Sequence, residues 1–135
     1  MPRNQAPPPA PGLPARILVV DDDPLVIRLI MDTLNVDGYD VDSAENGLAA
    51  LEKLRQGRFD LILSDLHMPQ LDGVGLYRAL TEGQEHPATR IVFLTGSVGS
   101  SELHRFLEET GLPLLRKPFS LAELQQIVRQ ALTTV

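Results

Sequence analysis

From residue 15 onward, short apolar runs alternate with longer stretches whose apolar positions recur every three or four residues. The short runs are typical of buried strands, and the longer spacing is typical of amphipathic helices. The predicted strands are residues 17–20, 39–42, 61–63, 91–94 and 112–116. Five strand–helix units in strict alternation predict an α/β fold with a parallel sheet. A closed eight-stranded barrel needs a far longer chain, so an open, doubly wound sheet is expected.

Residues suited to helix ends mark the boundaries of the predicted helices. Asp23 followed by Pro24 is typical of a helix start, because aspartate caps the first turn and proline fits the first helical position. Asp72 is interpreted as the N-cap of the third helix in the same way. Glycines that end a helix are expected at three positions: Gly38, Gly57 and Gly111.

The first 14 residues hold six of the 11 prolines in the chain. Proline has no backbone N–H and favours extended, solvated chain. We therefore predict a proline-rich leader or linker at residues 1–14 and a single folded domain at residues 15–135, within the usual size range for one domain.

Composition narrows the classes of function. The 135-residue chain carries a net charge of −6 and contains no cysteine, and its pI is near 4.9. An acidic domain does not attract phosphate backbones, so nucleic-acid binding is not expected. Disulfides, zinc–thiolate sites and cysteine catalysis are excluded. Without a secretory signal or an apolar run of about 20 residues, we expect a cytoplasmic domain that makes no membrane contact.

Polar residues follow the predicted strands, and parallel strands joined by right-handed crossovers end at the same edge of a sheet. Ser43, after the second strand, is interpreted as a simple loop or cap residue. The other polar residues expected at this edge are Asp21, Asp22, Asp23, Ser64, Asp65, Thr95 and Lys117.

This set of side chains points to phosphoryl chemistry. Crowded carboxylates resist ionisation unless a cation neutralises them, and an all-oxygen set suits Mg²⁺ or Mn²⁺ rather than zinc. Lysine and threonine beside that cation suit a phosphoryl ligand. A carboxylate can also be the nucleophile, through an aspartyl phosphate. Asp23 is assigned to capping rather than to the metal.

Four sequence blocks carry a family resemblance. They are Val-Val-Asp-Asp-Asp at 19–23, Leu-Ile-Leu-Ser-Asp-Leu-His-Met-Pro-Gln-Leu-Asp-Gly at 61–73, Phe-Leu-Thr-Gly at 93–96 and Lys-Pro-Phe at 117–119. In this order, each after a predicted strand, they resemble the receiver domain of two-component response regulators and hybrid histidine kinases. The resemblance spans about residues 16–132. It implies a flavodoxin-like sheet of order 2-1-3-4-5 with five helices.

The resemblance also implies roles for the acidic residues. Asp65 accepts a phosphoryl group from the phosphohistidine of a histidine kinase or a histidine phosphotransfer protein. Asp22 and Asp65 bind Mg²⁺ through their carboxylates, and Asp21 binds it directly or through water. The backbone carbonyl of His67 is the remaining protein ligand.

Two further residues receive roles from the same resemblance. The Thr95 hydroxyl donates to one phosphoryl oxygen, and the Lys117 ammonium pairs with another. The Lys117–Pro118 peptide bond occupies a family position that is usually cis. The domain is then a switch that phosphorylates itself and hydrolyses the product slowly, rather than a turnover enzyme.

Leu114 departs from the family pattern, in which an aromatic residue often precedes the lysine by three positions. Without a ring to reorient, we expect the loop at 96–101 and helix four to carry the phosphorylation-dependent change. Leu114 would then add an apolar spot to a partner or homodimer surface formed by helix four, strand five and helix five. A stand-alone regulator and the C-terminal receiver of a hybrid kinase both remain open.

Two rival functions use similar chemistry or a similar fold. A haloacid-dehalogenase-type aspartyl-phosphate phosphatase needs Asp-x-Asp-x-Thr/Val after strand one, but residues 21, 23 and 25 are Asp, Asp and Leu. A flavodoxin-type flavin carrier needs a phosphate-binding loop at the same place, where three aspartates would repel the flavin phosphate.

Overall fold

The computed structural model describes residues 13–68, 70–82, 90–96 and 101–133. Strands and helices alternate along these residues: β1 (Arg16–Val20), α1 (Pro24–Val36), β2 (Asp40–Ala44), α2 (Gly47–Gln56), β3 (Leu61–Asp65), α3 (Gly73–Glu82), β4 (Arg90–Thr95), α4 (Ser101–Thr110), β5 (Leu114–Arg116) and α5 (Leu121–Thr133). The alternation predicted from the apolar pattern is confirmed.

The five strands form one parallel sheet of order β2-β1-β3-β4-β5, which confirms the predicted order. Val20 pairs with Ala44 on one side and Ser64 on the other, and Thr95 pairs with Arg116. The carboxyl ends of the strands therefore lie along one edge, where the candidate residues follow them.

The central strands are buried because both faces of the sheet are covered. Successive residues of β1 point to opposite faces. Leu18 packs in the core cluster that holds α2 and α3 residues, while Ile17 packs in the cluster that holds α1 and α5 residues. This two-sided burial explains why β1, β3 and β4 are nearly continuous apolar runs.

The predicted caps are confirmed. The Asp23 carboxylate accepts a hydrogen bond from the Leu25 N–H at 2.9 Å, and the Asp72 carboxylate accepts one from the Gly75 N–H at 2.7 Å. Gly38 (φ 94°) and Gly111 (φ 64°) adopt the left-handed conformation just beyond α1 and α4. Glycine reaches this conformation at little steric cost, so both helices stop there.

Two strand assignments were partly wrong. Ser43 lies inside β2 and is not a loop or cap residue. The pattern concealed this because β2 is an edge strand with polar residues at Asp42 and Ser43. The fifth strand begins at Leu114 rather than at residue 112. Pro113 has no N–H to add to a ladder, although its carbonyl accepts the Phe93 N–H.

Among the described residues, no helix has both the length and the apolar character needed to cross a bilayer.

Candidate functional site

The carboxyl edge of the sheet brings three aspartates together. Asp21 and Asp22 directly follow β1, and Asp65 is the last residue of the neighbouring strand β3. One carboxylate oxygen from each lies within 4.8 Å of the others. Asp21 and Asp65 are buried and Asp22 is exposed, so the cluster combines two buried carboxylates with one that faces solvent.

Lys117 reaches this cluster from the end of β5. Its ammonium lies 2.8 Å from the Asp21 carboxylate and 3.4 Å from the Asp65 carboxylate. The Lys117 N–H donates to the carbonyl of Thr95 at 2.8 Å, which ties the lysine backbone to the end of β4. The Lys117–Pro118 bond is cis, as expected.

Backbone N–H groups orient two of the carboxylates. The Asp23 N–H donates to Asp21 Oδ1 at 2.9 Å, and the His67 N–H donates to Asp65 Oδ1 at 3.2 Å. The sequence places His67 two residues beyond the end of β3, so its backbone is adjacent to Asp65. Thr95, fully buried at the end of β4, completes the predicted set on this edge.

Burial and the charge of the ion-pair partner have opposite effects on the pKa of both Asp21 and Lys117. Burial raises the pKa of Asp21, and the charge of Asp65 raises it further, against the Lys117 ammonium and the Asp23 N–H. Burial alone would lower the pKa of Lys117, but its contacts with Asp21 and Asp65 outweigh this and raise it. Two carboxylates thus share one ammonium, which leaves the site with a net negative charge.

The donor chemistry fits a hard divalent cation. The three clustered side chains offer oxygen only, and the cluster carries more negative than positive charge. Mg²⁺ prefers carboxylate and carbonyl oxygens. A cavity of about 650 Å³ lies between α1 and the β2–α2 connection and is lined partly by Asp21 and Asp22. The acidic cluster is therefore reachable from solvent.

Gly73, the last residue of the second sequence block, is a further functional candidate, to which no role was assigned from the sequence. A Cβ atom at this position would lie 2.5 Å from the carbonyl oxygen of Asp65 and 3.0 Å from the Leu66 Cα. The absence of a side chain lets α3 begin directly against the end of β3. No apolar or charge pattern signals such a backbone approach.

Comparison with known families finds a match over most of the chain. The family model described as "Response regulator receiver domain" matches residues 17–129. The chain is 33% identical to the response regulator receiver protein CpdR of Brucella abortus, covering 87% of this chain and 96% of that protein. It is 37% identical to response regulator MprA of a Mycobacterium species over 121 residues, 89% of this chain. The chain spans about half the length of MprA (51%).

Solved structures show the same fold. The chemotaxis protein CheY4 of Vibrio cholerae superimposes with a TM-score of 0.79 at 31% identity, covering 87% of this chain and 98% of that one. The receiver domain of a signal transduction histidine kinase from Syntrophus aciditrophicus gives 0.80 at 28% identity, covering 88% and 90%.

Proposed function

The chain belongs to the receiver domain family of response regulators, and on that premise we propose that it takes a phosphoryl group onto Asp65 in a two-component phosphorelay. Receiver domains interact with histidine kinases or phosphotransfer proteins, which makes a phosphohistidine the donor. The observation that carries the proposal is the meeting of Asp21, Asp65 and Lys117 at the end of a 2-1-3-4-5 sheet.

Asp65 is the best placed of the three carboxylates to act as the nucleophile. It ends β3, the central strand of the sheet, between the β1 aspartates and the β4 threonine. Asp21 is fully buried and held by Lys117, whereas Asp22 projects into solvent. In the transfer, an Asp65 carboxylate oxygen forms a bond to phosphorus as the phosphorus–nitrogen bond of the phosphohistidine breaks. The imidazole leaves with the electron pair and takes up a proton.

The same residues would hold Mg²⁺: the carboxylates of Asp21, Asp22 and Asp65 and the backbone carbonyl of His67. The cation, when bound, supplies positive charge against the phosphoryl oxygens. Lys117 already lies beside Asp65, so its ammonium can follow the new phosphoryl charge with little movement. The Thr95 hydroxyl supplies a neutral hydrogen-bond donor at the end of the adjacent strand.

Intact mass after incubation with acetyl phosphate and Mg²⁺ tests the proposal. We expect the wild-type chain to gain one phosphoryl group, and Asp65→Asn and Asp22→Ala to gain none. Asp23→Asn is the matched control, because it is a neighbouring aspartate whose cap an asparagine preserves. An adduct that persists in Asp65→Asn, or its absence from the wild type at any Mg²⁺ concentration, contradicts the assignment.

Helix four is our candidate for transmitting the phosphorylated state. Phe106 of α4 contacts Phe93 of β4 and Tyr77 of α3, with ring centroids 5.8 and 5.7 Å apart. Phe93 lies two residues before Thr95, so a shift of the end of β4 would reach α4 through these rings. Half-buried Leu114 packs against the same core cluster. We propose that this route replaces an aromatic switch on β5 and alters a partner or homodimer surface on α4, β5 and α5.

Hydrogen exchange with and without beryllofluoride, a phosphoryl mimic, tests this route. We expect protection to change over residues 96–107 and hardly at all in α2. Residues 97–100 of the predicted switch loop lie outside the described residues. Equal changes throughout the domain, or no change at 96–107, would show that the signal takes another path.

The rival function of an aspartyl-phosphate phosphatase gains no support from the comparisons, which match receiver domains instead. The domain start at Ala15 stays a prediction; in its favour, the Ala15 carbonyl accepts the N–H of Asp40, the first residue of β2. Most of the predicted leader, residues 1–12, lies outside the described residues and its role as a linker stays a prediction.

A further inference from the structure

The loop that follows Asp65 is fixed at its base by backbone hydrogen bonds. The Leu66 N–H donates to the Leu94 carbonyl at 3.0 Å, and the Leu66 carbonyl accepts the Gly73 N–H at 3.2 Å. These bonds tie the start of the loop to β4 and to α3. His67, whose carbonyl is a candidate cation ligand, is the next residue along the loop.

The far side of the loop is attached to a different element, α2. The Gly47 N–H, at the start of α2, donates to the Leu71 carbonyl at 3.1 Å. A Cβ atom on Gly47 would collide with that carbonyl oxygen and would lie 2.8 Å from the Leu71 Cβ. The backbone of the loop can therefore reach α2 only because residue 47 has no side chain.

Backbone strain next to the Gly47–Leu71 contact indicates that surrounding contacts impose the conformation of this part of the loop. Gln70 has a φ of 69° and is the one non-glycine residue with positive φ in the described part of the chain. This conformation is unfavourable for a residue with a Cβ and persists only where its surroundings impose it. Gln70 immediately precedes Leu71, whose carbonyl receives the Gly47 hydrogen bond.

We propose that Gly47 is a positioning residue for the receiver site: its N–H and its missing side chain hold the Leu71 backbone in a position that lets the His67 carbonyl serve as a cation ligand. His67 lies in the chain between Leu66, which is fixed to β4 and α3, and Leu71, so a displacement of Leu71 is expected to shift the His67 backbone. The proposal rests on the proposed function, because it concerns the same cation.

The decisive variant is Gly47→Ala, compared with Gly75→Ala. A Cβ on Gly75 would meet Leu71 at 2.6 Å, but at Cδ1, the end of a flexible side chain that can rotate away. Both variants therefore crowd Leu71, and only Gly47→Ala displaces its backbone. Asn46→Ala is a second control, because it removes the α2 N-cap bond to the Ala49 N–H and adds no atom beside Leu71.

We expect Gly47→Ala to raise the dissociation constant for Mg²⁺ by about 10-fold or more, the usual cost of losing the support of a metal ligand. Saturating Mg²⁺ should restore most of the rate of labelling by acetyl phosphate. In the metal-free protein, the His67 amide resonance should move in Gly47→Ala and stay in place in Gly75→Ala. Asn46→Ala should lower the melting temperature and leave Mg²⁺ affinity unchanged.

The outcomes separate this proposal from the proposed function. A wild-type chain that neither binds Mg²⁺ nor accepts a phosphoryl group contradicts both. Wild-type binding that Gly47→Ala leaves unchanged, or affinities that fall in step with melting temperature in all three variants, overturns the positioning role alone. If Gly47→Ala does not fold, wild-type hydrogen exchange decides. Coupling is reciprocal, so Mg²⁺ must increase protection of the Gly47 amide, and unchanged protection overturns the proposal.

Discussion

Two lysine–aspartate pairs of nearly equal length involve neighbouring strands of the sheet, β1 and β2. Lys117 lies 2.8 Å from Asp21 at the edge that carries the candidate site. Lys53 of α2 lies 2.7 Å from Asp42 on the outer strand β2. The partners are chemically identical, but the Asp21 side chain is fully buried, whereas that of Asp42 is 45% exposed.

The lysine lowers the pKa of the aspartate in both pairs, but the surroundings give the net pKa shift opposite directions. At Asp21, burial and the neighbouring Asp65 outweigh Lys117, and the pKa is raised. At Asp42, burial is also the largest influence, but Lys53, the Ser43 N–H and Arg16 together overcome it, and the pKa is lowered. A carboxylate that has a single ammonium to itself is stabilised, and one that shares it with a second buried carboxylate is not.

The two lysine–aspartate pairs therefore suit different roles in the domain. Lys53 also donates to the Ser43 carbonyl, so it covers the open edge of β2 as well as pairing with Asp42. Lys117 supplies one positive charge against the three carboxylates of Asp21, Asp22 and Asp65. The remaining negative charge can be neutralised by a cation or altered by covalent modification of a carboxylate.

The largest expected contrast is between Lys117→Met and Lys53→Met. Lys117→Met should lower the rate of labelling by acetyl phosphate about 100-fold or more, because a charged donor to the phosphoryl oxygens is lost. It should not weaken Mg²⁺ binding, since it removes a competitor for the carboxylates. Lys53→Met should leave labelling unchanged and reduce the free energy of unfolding by about 0.5–1 kcal/mol. Mass spectrometry, calorimetry and urea unfolding measure these quantities, and equal loss of labelling in both variants would erase the contrast.

The second expected contrast lies in how the free energy of unfolding depends on pH, measured without Mg²⁺. The contributions of Asp21 and Asp42 should change with pH in opposite directions. The pKa of Asp21 in the folded state is raised. The free energy of unfolding of the wild type should therefore rise as pH falls from neutral toward 3.8. The difference in free energy of unfolding between wild type and Asp21→Asn should grow over the same range.

The lowered pKa of Asp42 has the reverse consequence. Its stabilisation is present above 3.8 and is lost as pH falls through the depressed value, so the advantage of wild type over Asp42→Asn should shrink. Exposure limits this advantage to less than about 1 kcal/mol. Urea unfolding across this pH range measures both slopes, and slopes of the same sign would refute the interpretation.

The smallest effect is expected for an ion pair with neither burial nor a second contact. Arg28 and Asp32 are 3.9 Å apart on α1, with side chains 83% and 73% exposed. A double-mutant cycle with Arg28→Ala and Asp32→Ala should give a coupling below about 0.5 kcal/mol. A coupling as large as that of Lys53 with Asp42 would mean that burial does not determine which ion pair contributes more to stability.

The amino-acid sequence alone was enough to predict the alternation of elements, the caps at Asp23 and Asp72 and the edge at which the acidic residues gather. These features are local or periodic, because burial on both faces makes strands continuously apolar and caps depend on neighbours a few residues away. Ser43 was wrongly predicted to lie outside β2, because an edge strand with polar residues lacks the pattern of a buried one.

How the gathered groups act on one another depends on packing between elements that are distant in the chain. Lys117 and Asp21 are 96 positions apart, and no sequence pattern states that they pair or that burial raises the pKa of the aspartate. The contact between Gly47 and the Leu71 carbonyl likewise joins elements that are distant in the chain. Distances and burial of this kind arise when the strands and helices pack together, since side-chain periodicity fixes which face a residue occupies but not what it meets there.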